Sequence, residues 1–345
     1  MGGVRRFWRL VAAMAALFAA PGLALAAPHL PAKPEGALKG VYVPVETPPK
    51  TAEIVKVGFY PQSVYQLDMA SNTYYVDTYV WLRWTGAIDP TGTIEFTNMG
   101  DEWGKQQEAI LPEPETLKDG SKYQIFRIEG RFVQPFSLAD YPLDRQHLSI
   151  LVEDTTNSSD ALAYVIDRAD SGMGRTLQVP GWKLNGWTAE TFRHDYGSAL
   201  GEGGAATAYS GARFSIDITR PLSFFYWKLL LPLFIVLVAA LSALMIGPLE
   251  LEVRTALPAG ALLTAVFLQK SYSDGLPDLG YLILMDKIYL VAYALILLTL
   301  IRVIVANPRG ADEAQAIAVQ KADRRLLAAM LATFAASTAL LIGLR

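Results

Sequence analysis

Residues 229–246 read LLLPLFIVLVAALSALMI, and residues 253–272 read VRTALPAGALLTAVFLQKSY. The first run carries no charge and, extended back to about Phe224, is long enough to cross a bilayer. A spanning helix needs about 20 mostly apolar residues to cover roughly 30 Å of hydrocarbon. Further apolar runs at about 279–306 and 326–344 bring the expected membrane helices to four. In lipid the backbone must satisfy its own polar groups, so such runs fold as helices. Residues 221–345 are thus expected to form a four-helix transmembrane domain.

Charge orients this domain. The connection at about 307–325, with Arg302 just before it, holds Arg309, Lys321, Arg324 and Arg325. Basic loops favour the cytoplasmic side. Alternation then puts the Gly247–Glu252 turn on that side too. Tyr226, Trp227, Tyr272, Tyr281 and Tyr289 fall near the opposite ends, where amphipathic rings suit the membrane interface.

The second run differs from the others. Glu250, Glu252 and Arg254 bracket one end and Gln269, Lys270 and Asp274 the other, with Thr255, Gly260 and Thr264 between them. A charge at the membrane centre costs about 3 kcal/mol even on the lenient insertion scale. This helix is therefore expected to face protein or water. In helical register Glu252, Ala256, Gly260, Leu263, Phe267 and Lys270 fall near one stripe. Such a stripe could line a pore, or it could pack inside an ordinary bundle, and composition leaves both open.

Upstream, Arg5, Arg6 and Arg9 precede an apolar stretch from Leu10 to Leu25, and Ala24-Leu25-Ala26 fits the small-residue cleavage rule. Residues 1–26 read as a signal peptide, which places the adjoining domain outside the cytoplasm. Residues 27–220 hold segments rich in Val, Ile, Tyr, Phe and Trp at 54–60, 74–84, 123–132, 146–152 and 213–218. Several alternate apolar and polar residues, the period of a half-buried strand. Turn clusters such as Asp89-Pro90-Thr91-Gly92 separate them. The expected fold class is β plus membrane α, a β-sandwich followed by the helices. Small residues at 197–206 read as a mobile loop between two strands.

The whole chain has 345 residues, a net charge of -3 and no cysteine. This excludes disulfides and thiolate chemistry, and gives no reason to expect a nucleic-acid partner. His29, His147 and His194 have no metal-ligand spacing, and no nucleophile or phosphate-loop motif is present. Neither a metal, a cofactor nor an enzymatic activity is expected.

Residues 136–146 read FSLADYPLDRQ and are followed by HLSILVE. This resembles the signature loop of pentameric ligand-gated ion channels: an aromatic residue, Pro, an apolar residue, Asp, any residue, Gln. Prokaryotic members lack the cysteines that bracket the loop in animal receptors, and so does this chain. Arg220 resembles the family's pre-membrane arginine, and Leu276-Pro277 its linker between the second and third helices. The similarity covers about residues 50–345, including the order of β domain, three close helices, a short linker and a fourth helix.

The resemblance implies a homopentamer in the bacterial inner membrane, passing inorganic ions through a pore lined by the second helix. Glu252 falls at the acidic ring of the cytoplasmic mouth, Ala256 and Gly260 line the inner pore, and Leu263 and Phe267 form its apolar constriction. Five copies of Glu252 would favour cations, and an apolar ring gates by dewetting. Lys270 near the outer mouth opposes cations, and Asp274 stands one turn on to offset it. Pro258 inside the helix departs from the family pattern and would remove a helix hydrogen bond. Asp144, Arg220, Asp68 and Pro277 fall in the zone that couples the two domains, with Asp144 and Arg220 as an ion pair.

The family binds its agonist between subunits. Glu153, Thr155, His194, Tyr196 and Tyr209 match one side of that site, and Tyr79, Trp81 and Arg83 the neighbour's side. Tyrosines with a carboxylate suit an amine, through cation–π contact and charge pairing. The match is weak here, since Thr155 stands at a usual aromatic position. The rival class is a membrane-anchored periplasmic binding or sensor protein without a pore. A transporter would show internal repeats and ionisable residues at the membrane midplane, and neither is visible.

Overall fold

The computed structural model describes residues 41–100, 106–199, 201, 207–306 and 313–345. The expected signal peptide and most of the 197–206 loop lie outside the described residues. The rest form two compact units.

The first unit is all β. Its strands are β1 (Val41–Pro44), β2 (Glu53–Asp68), β3 (Thr73–Trp84), β4 (Ile94–Glu95), β5 (Gln106–Ala109), β6 (Glu115–Thr116), β7 (Lys122–Val133), β8 (Arg145–Ser158), β9 (Leu162–Ile166), β10 (Lys183–Asp195) and β11 (Ala208–Thr219). One sheet runs β1-β10-β11-β8-β4 and the other β5-β7-β3-β2-β9, with β6 added against β7. Each expected strand segment lies within β2, β3, β7, β8 or β11. Alternation does the sorting. On β8 and β11, Leu148, Ile150, Val152, Phe214, Ile216 and Ile218 are buried. Facing them are Val55, Val57 and Phe59 of β2 and Val80, Leu82 and Trp84 of β3. Phe59 of one sheet stacks on Phe214 of the other at 5.4 Å. Burying side chains of this size stabilises the sandwich by about 1.5–3 kcal/mol each.

The second unit contains the helices α1 (Phe224–Leu244), α2 (Leu251–Ser273), α3 (Leu284–Val305) and α4 (Glu313–Gly343). All four are long and apolar enough to cross a membrane, which makes the chain a multi-pass membrane protein. Pro258 lies within α2 without ending it and is buried. Two helix starts differ from the sequence reading. The third helix begins at Leu284, not near 279, because residues 274–283 form an irregular linker. The fourth begins at Glu313, inside the stretch read as linker. Its first turns, EAQAIAVQKADRR, are rich in strong helix formers but too polar to register as an apolar run.

The segment Leu138–Asp144, within the FSLADYPLDRQ stretch, belongs to this helical unit rather than to the β unit around it in sequence. Leu284 N–H donates to Ala139 O at 2.9 Å, and Met285 N–H to Tyr141 O at 3.2 Å. These are first-turn amides of α3, which lack partners within their own helix. The loop thus supplies the acceptors that the helix start lacks.

Candidate functional site

The stripe expected on α2 is a single exposed face. Glu252, Ala256, Gly260, Leu263, Phe267 and Lys270 are all exposed, Leu263 at 58% and Phe267 at 64%. The opposite face, Arg254, Pro258, Ala261, Ala265 and Tyr272, is buried against the other helices. Pro258 therefore interrupts the backbone bonding on the packed side, not on the exposed one. Lys270 does not stand alone, because its Nζ lies 2.6 Å from Asp274 Oδ1.

Polar side chains anchor both ends of α2. At its C-terminal end Asp286 of α3 accepts from Gln269 Nε2 at 3.0 Å and from Tyr272 OH at 2.5 Å. Tyr293 OH donates to Gln269 Oε1 at 2.6 Å. Tyr272 also stacks on Tyr141 of the Leu138–Asp144 segment at 6.1 Å and meets Tyr289 at 5.4 Å. One side chain of α2 thus touches both the segment that links β7 to β8 and the third helix. Pro277, expected in the coupling zone, lines a small cavity with Lys270, Tyr272, Asp274, Asp278 and Asp286. Asp144, also expected there, is buried.

At the other end lies a cluster that the sequence reading missed. Arg254 of α2 pairs with Asp323 of α4, and Arg302 Nη2 of α3 lies 2.9 Å from Asp323 Oδ1. Arg254 Nε donates to Ala243 O at 3.1 Å. In the sequence Arg302 and Asp323 read as end-of-helix and linker charges. The available signal was an acid among good helix formers, less than one helical turn before the last apolar run.

In the β unit, four of the residues expected to bind ligand converge: Glu153, His194, Tyr196 and Tyr209. Glu153 of β8 is 2% exposed. Its Oε2 lies 2.8 Å from His194 Nδ1, and its Oε1 accepts from Tyr196 OH at 2.8 Å. A buried carboxylate needs such partners, since desolvation penalises its charge. The His194 ring lies between Tyr42 at 4.2 Å and Tyr196 at 3.9 Å, and Tyr209 meets Tyr196 edge-on at 5.8 Å. Burial, then the Glu153 hydrogen bond and charge, raises the Tyr196 phenol above its ordinary value. Tyr42 is raised by burial and by the Glu153 charge. Tyr42 was not read from the sequence, and β1 brings it in by pairing residue for residue with His194.

The other expected residues lie elsewhere. Thr155 is exposed and its hydroxyl donates to Thr93 O at 3.1 Å. Tyr79, Trp81 and Arg83 sit on β3, in the other sheet. Trp81 is buried and its indole N–H donates to Asp167 Oδ2 at 3.1 Å. Arg83 pairs with Asp119 and Ser121. Asp68 accepts from Ala70 N at 2.9 Å and Ser71 Oγ at 2.7 Å, which closes the β2–β3 turn. The Arg220 guanidinium lies 4.2 Å over the Trp182 ring.

Comparison with protein-family models and with curated proteins finds no match to this chain.

Proposed function

We propose that the chain is one subunit of a homopentameric, ligand-gated, cation-selective ion channel, with its β unit in the periplasm and its helices in the bacterial inner membrane. One observation carries this reading. The least apolar of the four membrane spans turns a face bearing Glu252, Leu263, Phe267 and Lys270 away from its own bundle. In a ring of subunits that face is repeated about the axis. Glu252 then draws cations to the cytoplasmic mouth, and Leu263 with Phe267 forms the constriction that opens by wetting. The Lys270–Asp274 pair offsets the positive charge at the outer mouth.

Ligand binding enters at the Glu153 cluster. The imidazole of His194 occupies the place an organic ammonium would take, against a carboxylate and between two aromatic faces. An amine bound there gains cation–π and charge contacts and displaces His194. Tyr141 and Tyr272 supply the path from the signature segment to the pore helix.

The test is current in planar bilayers from purified protein, with asymmetric salt to set the reversal potential. The expected result is a cation-selective current that Leu263→Ala increases and Glu252→Ala makes less selective. Silence from both proteins, with a monomer by native mass measurement, would leave a membrane-anchored periplasmic binding protein as the better account.

A further inference from the structure

A second polar site lies on the same sheet as the Glu153 cluster. It is a cavity of about 600 Å³, within the range that small-molecule sites occupy. Strand register builds its floor. Glu190 of β10 stands opposite Arg213 of β11, which stands opposite Leu151 of β8. On the next rung but one Thr188 faces Ser215, and Ser215 faces Ser149. Asn98 and Gln134 form the rim, and their amides are already committed to the backbone of β8. Asn98 Nδ2 donates to Ser149 O at 2.7 Å, and Gln134 Oε1 accepts from Ser149 N at 3.0 Å. The wall is therefore fixed before any ligand arrives.

The floor keeps unused hydrogen-bonding capacity. Ser149 Oγ and Ser215 Oγ are 2.9 Å apart and both residues are buried. One hydroxyl donates to the other, which leaves one O–H without an acceptor among the described residues. Arg213 Nη1 donates to Glu190 Oε1 at 2.7 Å. Among the described residues its Nε and Nη2, and the second Glu190 oxygen, make no hydrogen bond. Acid and base on this rung already neutralise each other. A ligand of single charge would have to break that pair or carry its own charge in unbalanced, whereas a ligand with adjacent opposite charges can join it as a four-membered ring of alternating sign.

We propose that this cavity binds a small α-amino acid as its zwitterion. The carboxylate lies on Arg213 and the Ser149–Ser215 hydroxyls, and the ammonium on Glu190. The site stands independently of the channel reading, yet it borders the Glu153 cluster. The Arg213 guanidinium lies 5.9 Å from the Tyr42 ring, and Tyr42 stacks on His194. An occupant that draws on Arg213 therefore acts on the residue that frames the cluster.

The test is titration calorimetry on the full-length protein in detergent, with L-alanine and L-glutamine as probes and acetate and methylammonium as half-ligands. Saturable binding of the amino acids is expected, with each half-ligand at least about tenfold weaker. Arg213→Gln and the double variant Ser149→Ala/Ser215→Ala should each weaken binding about tenfold or more, the scale of a lost bond to a charged group. Repeating the titrations on Glu153→Gln removes any heat from an amine bound at the Glu153 cluster, so that only the Arg213 cavity is counted. Thermal melts identify any variant that fails to fold, and Thr188→Ala supplies a milder second probe of the hydroxyl rung. Absence of binding by both amino acids, acetate binding as tightly as L-alanine, or undiminished binding by a folded Arg213→Gln would each overturn the assignment. Binding by a protein that passes no current would uphold it while removing the channel reading.

Discussion

Arg254 of α2 and Asp323 of α4 form an ion pair that solvent does not reach, with the arginine side chain 0% and the aspartate 1% exposed. Arg302 of α3 donates to the other Asp323 oxygen at 2.9 Å, so one carboxylate ties three helices together. Removing one partner of such a pair strands the other charge and typically costs about 3–5 kcal/mol. Asp323→Ala should destabilise the protein by that amount in a denaturant or thermal series. Adding Arg254→Ala should restore part of the loss, with a coupling of about 1–3 kcal/mol in the double-mutant cycle. Strict additivity would mean that the pair contributes no coupling. Arg254 lies two residues beyond Glu252 on α2, so the pair also fixes the rotation that presents Glu252.

Lys270 and Asp274 are both exposed and one helical turn apart, with their charges in contact at 2.6 Å. Their importance under the channel reading is to permeation rather than to stability, since exposed pairs contribute little. Lys270→Gln should raise cation over anion permeability, and Asp274→Asn should lower it by freeing the lysine charge. Reversal potentials under a salt gradient measure both. If the two variants shift the potential in the same direction, the pair does not border the permeation path.

Tyr272 donates to Asp286 at 2.5 Å while its ring stacks on Tyr141. Tyr272→Phe keeps the stack and removes the donor. It should cost about 1 kcal/mol, the usual net worth of one hydrogen bond, and, under the channel reading, shift the agonist dose–response curve several-fold. Under the same reading Tyr141→Ala removes the stack instead and should alter gating without changing ion selectivity. A selectivity change in Tyr141→Ala would argue that this tyrosine acts at the pore itself.

These contacts explain what the sequence made legible. The apolar runs and the alternation in β2, β3, β7, β8 and β11 reflect burial, which leaves a periodic trace along the chain. The register of the α2 stripe was equally readable, because polar ends and helical periodicity are local properties, whereas the side it presents to its own bundle was not. β10, with the sequence KLNGWTAETFRHD, was missed because it is polar on much of both faces. The early start of α4 was missed because an apolar-run criterion sees only the lipid-embedded part of a helix. Tyr42 joins Glu153 only through the pairing of β1 with β10, a contact between strands far apart in sequence. Asp323 lies in the stretch expected as a linker, and only the fold brings it beside Arg254.

Glu153 is the charge that most directly raises the two phenols beside it, so its removal should be visible in a tyrosine titration. Burial is the first cause of the raised values of Tyr196 and Tyr42, and the Glu153 carboxylate adds to both. A raised phenol favours the folded state while it stays neutral. That contribution is complete below the unfolded value, at pH ~10, and is lost as pH climbs through the higher folded-state values. Glu153→Gln should therefore let Tyr196 and Tyr42 ionise at lower pH, read by ultraviolet difference titration. The alkaline decline in stability above pH ~10 should become shallower than in the wild type, because the gap between folded and unfolded values narrows. Unchanged titration in a folded Glu153→Gln protein would mean that burial alone sets these phenols, and that Glu153 carries no effective charge toward a ligand at this site.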